Sequence, residues 1–341
     1  MNQAYITALS YYLPANILDN KMISELHPEW SIDKIALKTG IEVRHISAED
    51  EFASDMAYSA ASALFSEYDV DKHDIDFVLL CTQSPDHFLP TTACLLQERL
   101  GLSKNCGALD FNLGCSGFIY GLGLAKALIQ SDQAKNVLLI TSETYTKYIH
   151  PNDKTNKTIF GDGAAAVLIS KEKSDGMLNG RIGNFVYGTD GSGASNLIVK
   201  NGGARFKNEV GIDLIDENGS TVNDDYLYMD GKAIFNFTAS EIPKLIKKGL
   251  DKNEISLDNV DLAIFHQANE YMLNVVRTRC NIAKEKFYVN FSDGGNTVSS
   301  TIPIALKRAL NEGALANVKT LLLAGFGVGL SMGTTIVTIE E

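Results

Sequence analysis

Two stretches of this 341-residue chain repeat one another at a fixed distance. Asp74-Ile-Asp-Phe-Val-Leu-Leu-Cys-Thr-Gln-Ser84 aligns with Asn259-Val-Asp-Leu-Ala-Ile-Phe-His-Gln-Ala-Asn269, a separation of 259 − 74 = 185 positions. Each is an apolar run of strand length, left through polar residues. A second pair follows in the same order. Leu124 to Thr141 reads as helix, polar turn and the strand Val137 to Ile140, and Leu306 to Ala324 reads the same way, ending in Leu321 to Leu323. A looser third pair sets the Gly-rich turn and apolar run Gly161 to Ser170 against Gly327 to Ile339. The pattern implies a duplicated α/β unit with mostly buried strands covered by helices. The expected halves are residues 1–175 and 176–341, and 341 residues exceed the usual size of one domain.

The repeat has a chemical consequence. Sites in α/β sheets cluster at the carboxyl ends of strands, and His266 falls where Cys81 falls in the first half. Between the halves, Gly176 to Asp230 is rich in Gly, Asn, Asp and Ser. It reads as long surface loops with a short hairpin around Gly211 to Val222. A helix is expected over Lys232 to Lys252. An insertion-like amphipathic segment, Asn20 to Lys38, holds the only tryptophan, Trp30.

Charge and cysteine content narrow the function classes. Lys and Arg total 30 against 42 Asp and Glu, a net −12, which argues against non-specific binding of nucleic acid or anionic membrane. The five cysteines show no C-x-x-C or metal-type spacing, so a reducing, cytoplasmic setting without disulfides is expected. No carboxylate/His cluster has metal-ligand spacing, and no cofactor is expected. Met1 to Pro14 lacks the pattern of a secretion signal. Thr320 to Ile339 is uncharged and of membrane-spanning length, but its four glycines favour two buried β-segments joined by a turn.

Three short strings carry candidate chemistry. Cys115 lies in Asn112-Leu-Gly-Cys-Ser-Gly117, between a strand-like Ala108 to Asn112 and a helix-like Phe118 to Gln130. Such an elbow favours an acyl-accepting thiolate, because the helix start carries partial positive charge and small neighbours free backbone N–H groups. The alternative is a buried structural cysteine, the reading given to Cys81, Cys94 and Cys280. His266, followed by Gln267 and Asn269, lines a polar cleft or is a satisfied core histidine. Asn296, in Asp293-Gly-Gly-Asn-Thr297, completes a Cys/His/Asn set or merely forms a turn. His27, His45, His73, His87 and His150 read as surface residues. Gly325-Phe-Gly-Val-Gly329 lacks the dinucleotide-binding spacing, and Gly114-Cys-Ser-Gly117 is not a serine-hydrolase elbow.

Taken together the strings resemble the β-ketoacyl-acyl-carrier-protein synthase III family of thiolase-like condensing enzymes. They are Thr39-Gly-Ile-Glu-Val-Arg-His45, Gly114-Cys-Ser-Gly-Phe118, Ile159-Phe-Gly-Asp-Gly-Ala164, His266-Gln-Ala-Asn269, Gly295-Asn-Thr297 with Pro303, and Gly325-Phe-Gly327. The resemblance implies a thiolase-like duplicated α/β/α/β/α five-layer fold, a homodimer, and acyl-CoA and acyl carrier protein as partners. It implies that Cys115 carries the acyl group and that the backbone N–H groups of Cys115 and Val328 hold its oxyanion. His266 and Asn296 then stabilise the enolate of a decarboxylating malonyl unit, without a metal. Trp30 and Lys154 match positions flanking the coenzyme A adenine, with Lys where Arg is usual, which removes planar stacking. Leu89 replaces a Phe that closes the acyl pocket from the partner subunit, which points to a bulkier or longer acyl group. Phe326 and Asn269 complete the implied substrate contacts. Tyr271 and Asn236 stand where Arg and Lys dock the carrier. Lys244, Lys247 and Lys248, with Arg277 and Arg279, form a basic face for the carrier or an ordinary solvated one. The rival functions are transfer of the acyl group to a sugar, amine or alcohol, and a catalytically silent scaffold.

Overall fold

The computed structural model describes residues 2–174, 178–216 and 219–340. Nine strands form one continuous sheet. Its order is Leu262–Phe265, Thr320–Gly327, Ser331–Glu340, Asn179–Thr189, Tyr5–Tyr12, Gly163–Ser170, Asn136–Glu143, Phe77–Cys81, Gly107–Phe111. The two halves join where Tyr5 and Ile6 pair with Arg181 and Gly180. The expected boundary at 175/176 lies outside the described residues.

The duplication is visible residue by residue. In the first half one register row runs Phe77, Val137, Ile169, Ile6 across four strands. In the second it runs Leu262, Leu321, Val337, Ile182. Each row has one parallel and two antiparallel pairings. Just beyond each row the register slips by a residue, between Ile6 and Ala8 and again between Ile182 and Phe185. The edge strand Gly107–Phe111 has a one-residue counterpart, the parallel bridge of Phe287 to Ala263.

Strands buried on both faces require helices on both faces. Alternate residues of Phe77–Cys81 go to different cores, Val78 and Leu80 outward, Leu79 inward. Leu262–Phe265 alternates likewise, with Leu262 and Ile264 inward, Ala263 and Phe265 outward. Helices Ala53–Tyr68 and Thr92–Leu100 cover one outer face, and Gly231–Lys252 and Glu270–Arg279 the other. Helices Gly117–Gln130 and Thr301–Asn311 are sandwiched between the halves, where Phe118, Ile119, Ile302 and Leu306 are fully buried. Five layers result, the inner two helices sharing one core.

Several expectations resolve here. Lys232 to Lys252 is helical from Gly231, and Leu214–Ile215 pairs with Thr221–Val222. Asn20 to Lys38 forms two short helices, capped by the side chains of Asp19 and Ser31. Thr320 to Ile339 is an antiparallel hairpin, and among the described residues no helix is long and apolar enough to cross a membrane. Two expectations fail. Cys94 is exposed, because Ala93, Leu96 and Leu100 take the inward face of its helix. His150 is buried, its Nε2 lying 3.3 Å from Asp213 Oδ1 and its ring edge-on to Tyr226, because residues far along the chain fold back over it.

Candidate active site

Cys115 sits in the turn between strand Gly107–Phe111 and helix Gly117–Gln130, and is 6% exposed. The facing strand Thr320–Gly327 comes unusually close. A Cβ on Gly327 would lie 2.8 Å from Cys115 Sγ, so only glycine permits this approach. Burial pushes the Cys115 thiol up to about 12, outweighing hydrogen bonds from the backbone N–H groups of Val328 and of Cys115 itself. The expected resting thiolate is therefore a thiol at neutral pH. Its two N–H neighbours are those the resemblance assigns to the oxyanion.

His266 follows the last residue of strand Leu262–Phe265. Its Nδ1 lies 2.7 Å from Thr301 Oγ1, and its ring stands edge-on to Phe326 at 5.8 Å. Burial pulls its pKa down to about 3, so the imidazole is neutral. Thr301 Oγ1 also lies 3.1 Å from the Val298 carbonyl. A hydroxyl both donates and accepts, so Thr301 supports either tautomer of the ring.

Asn296 occupies a turn in which Gly295 and Val298 both have positive φ, 70° and 56°. Its Oδ1 accepts from Val298 N–H at 2.9 Å, leaving the Nδ2 group as a donor. The turn is stitched to Ile159-Phe-Gly161 by Asn296 N–H to Ile159 O at 2.9 Å and Gly161 N–H to Asn296 O at 3.1 Å. That gives the Ile159–Ala164 string its structural role.

Cys115, His266 and Asn296 all line one cavity of about 550 Å³. A second cavity of about 1070 Å³, lined by Gln83, Asn112, Tyr145, Tyr148 and Val328, shares Leu197 with the first. A buried thiol, a neutral imidazole and a carboxamide thus converge from both halves on one mostly apolar chamber.

Known proteins resemble this chain over nearly its whole length. Profiles described as 3-oxoacyl-[acyl-carrier-protein] synthase III and its C-terminal part match residues 109–191 and 250–339. A β-ketoacyl-[acyl-carrier-protein] synthase III of Clostridium perfringens is 36% identical over 99% of this chain and 100% of its own length. The chain belongs to the β-ketoacyl-acyl-carrier-protein synthase III family. A Staphylococcus epidermidis synthase III is 34% identical over 98% of both chains. A solved 3-oxoacyl-(acyl-carrier-protein) synthase III superposes with a TM-score of 0.95 at 44% identity, covering 99% of this chain and 100% of its own. The Thermus thermophilus structure gives 0.85 at 31%, covering 98% and 99%. The chain is therefore a condensing acyltransferase with the thiolase-like fold.

The remaining candidate residues of this condensing enzyme are distributed unevenly. Phe326, 1% exposed, and Asn269 line the smaller cavity, but Asn269 Oδ1 also caps helix Glu270–Arg279 through Met272 N–H at 2.9 Å. Leu89 lines the larger cavity and is 82% exposed, beside the equally open Phe88. Trp30 and Lys154 line neither cavity. Trp30 carries Lys34 and Lys38 over its ring at 5.0 and 4.8 Å, and Lys154 is bonded to Glu29 at 2.8 Å. Both flank the rim, since Lys38 and Thr155 line the cavity. Tyr271 stacks on Phe235 at 5.5 Å at the same rim. Asn236, Lys244, Lys247 and Lys248 are exposed, whereas Arg277 and Arg279 donate to the Ile282 and Ala239 carbonyls. Sequence reasoning missed Thr301 and the buried Glu143. The repeat held a signal for Glu143, which lies 327 − 143 = 184 positions before Gly327.

Proposed function

We propose that this enzyme forms β-ketoacyl thioesters by decarboxylative Claisen condensation, with Cys115 as acyl carrier and His266 and Asn296 as the enolate-stabilising pair. The observation that carries the reading is the convergence of those three side chains on one buried chamber. In the first step Cys115 Sγ bonds to the acyl carbon, the C–S bond to coenzyme A breaks, and the thiol proton leaves with the departing thiolate. Negative charge on the carbonyl oxygen is met by the N–H groups of Cys115 and Val328. In the second step the malonyl unit loses CO₂. When the Thr301 hydroxyl turns from the Val298 carbonyl to donate to Nδ1, the ring proton sits on Nε2. That proton and Asn296 Nδ2–H then bond the thioester oxygen as it becomes an enolate. The enolate carbon attacks the acyl-Cys115 carbonyl and the sulfur leaves.

Acyl transfer to a sugar, amine or alcohol needs a base for the acceptor. An imidazole held at about 3 is a poor one, which favours condensation. Acyl-CoA as donor, malonyl-carrier protein as acceptor, residues 1–175 and 176–341 as the two halves, and a cytoplasmic homodimer complete the reading. The dimer is supported by the open edge strand Gly107–Phe111, where Leu109 is 45% exposed, and by the exposed Phe88 and Leu89 beside the larger cavity.

The test separates the two steps. Asn296→Ala is expected to accept label from acyl-CoA on Cys115 at the wild-type rate. Its release of CO₂ from a malonyl thioester should fall by about 10²-fold. Loss of labelling in that variant would overturn the division of roles.

A further inference from the structure

Glu143 ends the strand Asn136–Glu143 and is fully buried. Its Oε2 accepts from Gln83 N–H at 3.0 Å and faces Ser84 Oγ at 3.3 Å. Its Oε1 accepts from Ser299 Oγ at 2.9 Å, a contact that crosses from one half of the molecule to the other. Ser299 is the middle residue of the single turn Val298–Ser300. That turn is under strain, because a β-branched Val298 at φ 56° lies in the left-handed region. On one side the turn fixes Asn296 through Val298 N–H, and on the other it leads to Thr301, which bonds His266. Gln83 meanwhile lines the larger cavity.

We infer that Glu143 is a positioning residue for the decarboxylating half of the reaction: through Ser299 it holds the strained turn that presents Asn296 and supports His266. The inference rests on the roles proposed above for those two residues. Removing the carboxyl leaves the buried Ser299 hydroxyl with only the Cys81 thiol as partner and frees Val298 to relax, which moves the Asn296 amide. Cys115 is held by its own helix start and by strand Thr320–Gly327, so acyl capture does not depend on this link. The carboxyl raises the Cys115 pKa, so its loss eases rather than hinders ionisation of the thiol.

The experiment compares Glu143→Ala, Glu143→Gln and Ser299→Ala with the full-length wild type. Acyl capture is followed by mass spectrometry with labelled acyl-CoA, and CO₂ release by single turnover of the pre-acylated enzyme with malonyl thioester. Both alanine variants are expected to release CO₂ about tenfold more slowly, with capture unchanged within about twofold. The double alanine variant should be no slower than either single one, since both cut one link. Glu143→Gln should recover most of the rate, because its amide accepts from Gln83 N–H and donates to Ser299. Should Glu143→Ala misfold, Ser299→Ala, which loses only a hydroxyl, decides the matter. Equal loss in both steps, or unchanged CO₂ release while Asn296→Ala is inactive, would overturn the inference alone. A decarboxylating Asn296→Ala enzyme would overturn the roles it rests on as well.

Discussion

The register rows set His266 and Gly327 against Cys81 and Glu143, and the offset between the heads of the two central helices, 301 − 117 = 184, sets Cys115 and Asn296 against Ser299 and Asn112. The contacts repeat as well as the positions. Gly327 approaches Cys115 so closely that a Cβ there would lie 2.8 Å from Sγ, and Glu143 reaches Ser299 at 2.9 Å. His266 bonds Thr301 at the head of one central helix, and Cys81 Sγ would lie 2.2 Å from a Cβ on Gly117, the head of the other. One constellation is open because strand Thr320–Gly327 ends without a side chain. Its counterpart is plugged by a carboxyl and has become scaffolding. Duplication thus supplies two frames but one reactive chamber, and the closed frame braces the open one.

The comparison breaks most visibly at the nucleophile. Cys115→Ala is expected to lower acyl capture at least about a thousandfold, to the background seen without enzyme, by labelled-adduct mass spectrometry. Capture at another residue would show that the open frame is not where the acyl group goes. Next in size is the close approach at Gly327. Gly327→Ala drives a methyl against Sγ, so capture should slow about a hundredfold and the urea midpoint should drop by the equivalent of about 1–3 kcal/mol. A wild-type capture rate would mean that the missing side chain is not what keeps the chamber open.

The smallest effects concern pH. Burial holds His266 down to about 3, so its unfolded form binds a proton first, and stability falls as pH drops from about 6.5 toward 3. Burial holds Glu143 up to about 8 despite three donors, so its contribution is lost as pH rises from about 4.5 to 8. Urea midpoints across this range should show a flatter acid limb in His266→Gln and a flatter limb toward pH 8 in Glu143→Gln. Unchanged slopes in either variant would show that the group is not buried against its charge.

The strand exits, the elbow at Cys115 and the helix through Lys252 were legible because hydrophobic period and turn residues are local quantities. The repeat carried the architecture, since two similar units that each expose an apolar face must bury it together. Local pattern did not reveal what covers a residue from elsewhere in the chain. Hence Cys94 came out exposed and His150 buried, and Asn269 proved to cap a helix as well as line the chamber. The protonation states of Cys115 and His266 belong to the same class. They depend on desolvation by elements far along the chain, strand Thr320–Gly327 over Cys115 and the Thr301 and Phe326 side chains around His266, which exists only once the tertiary structure has formed.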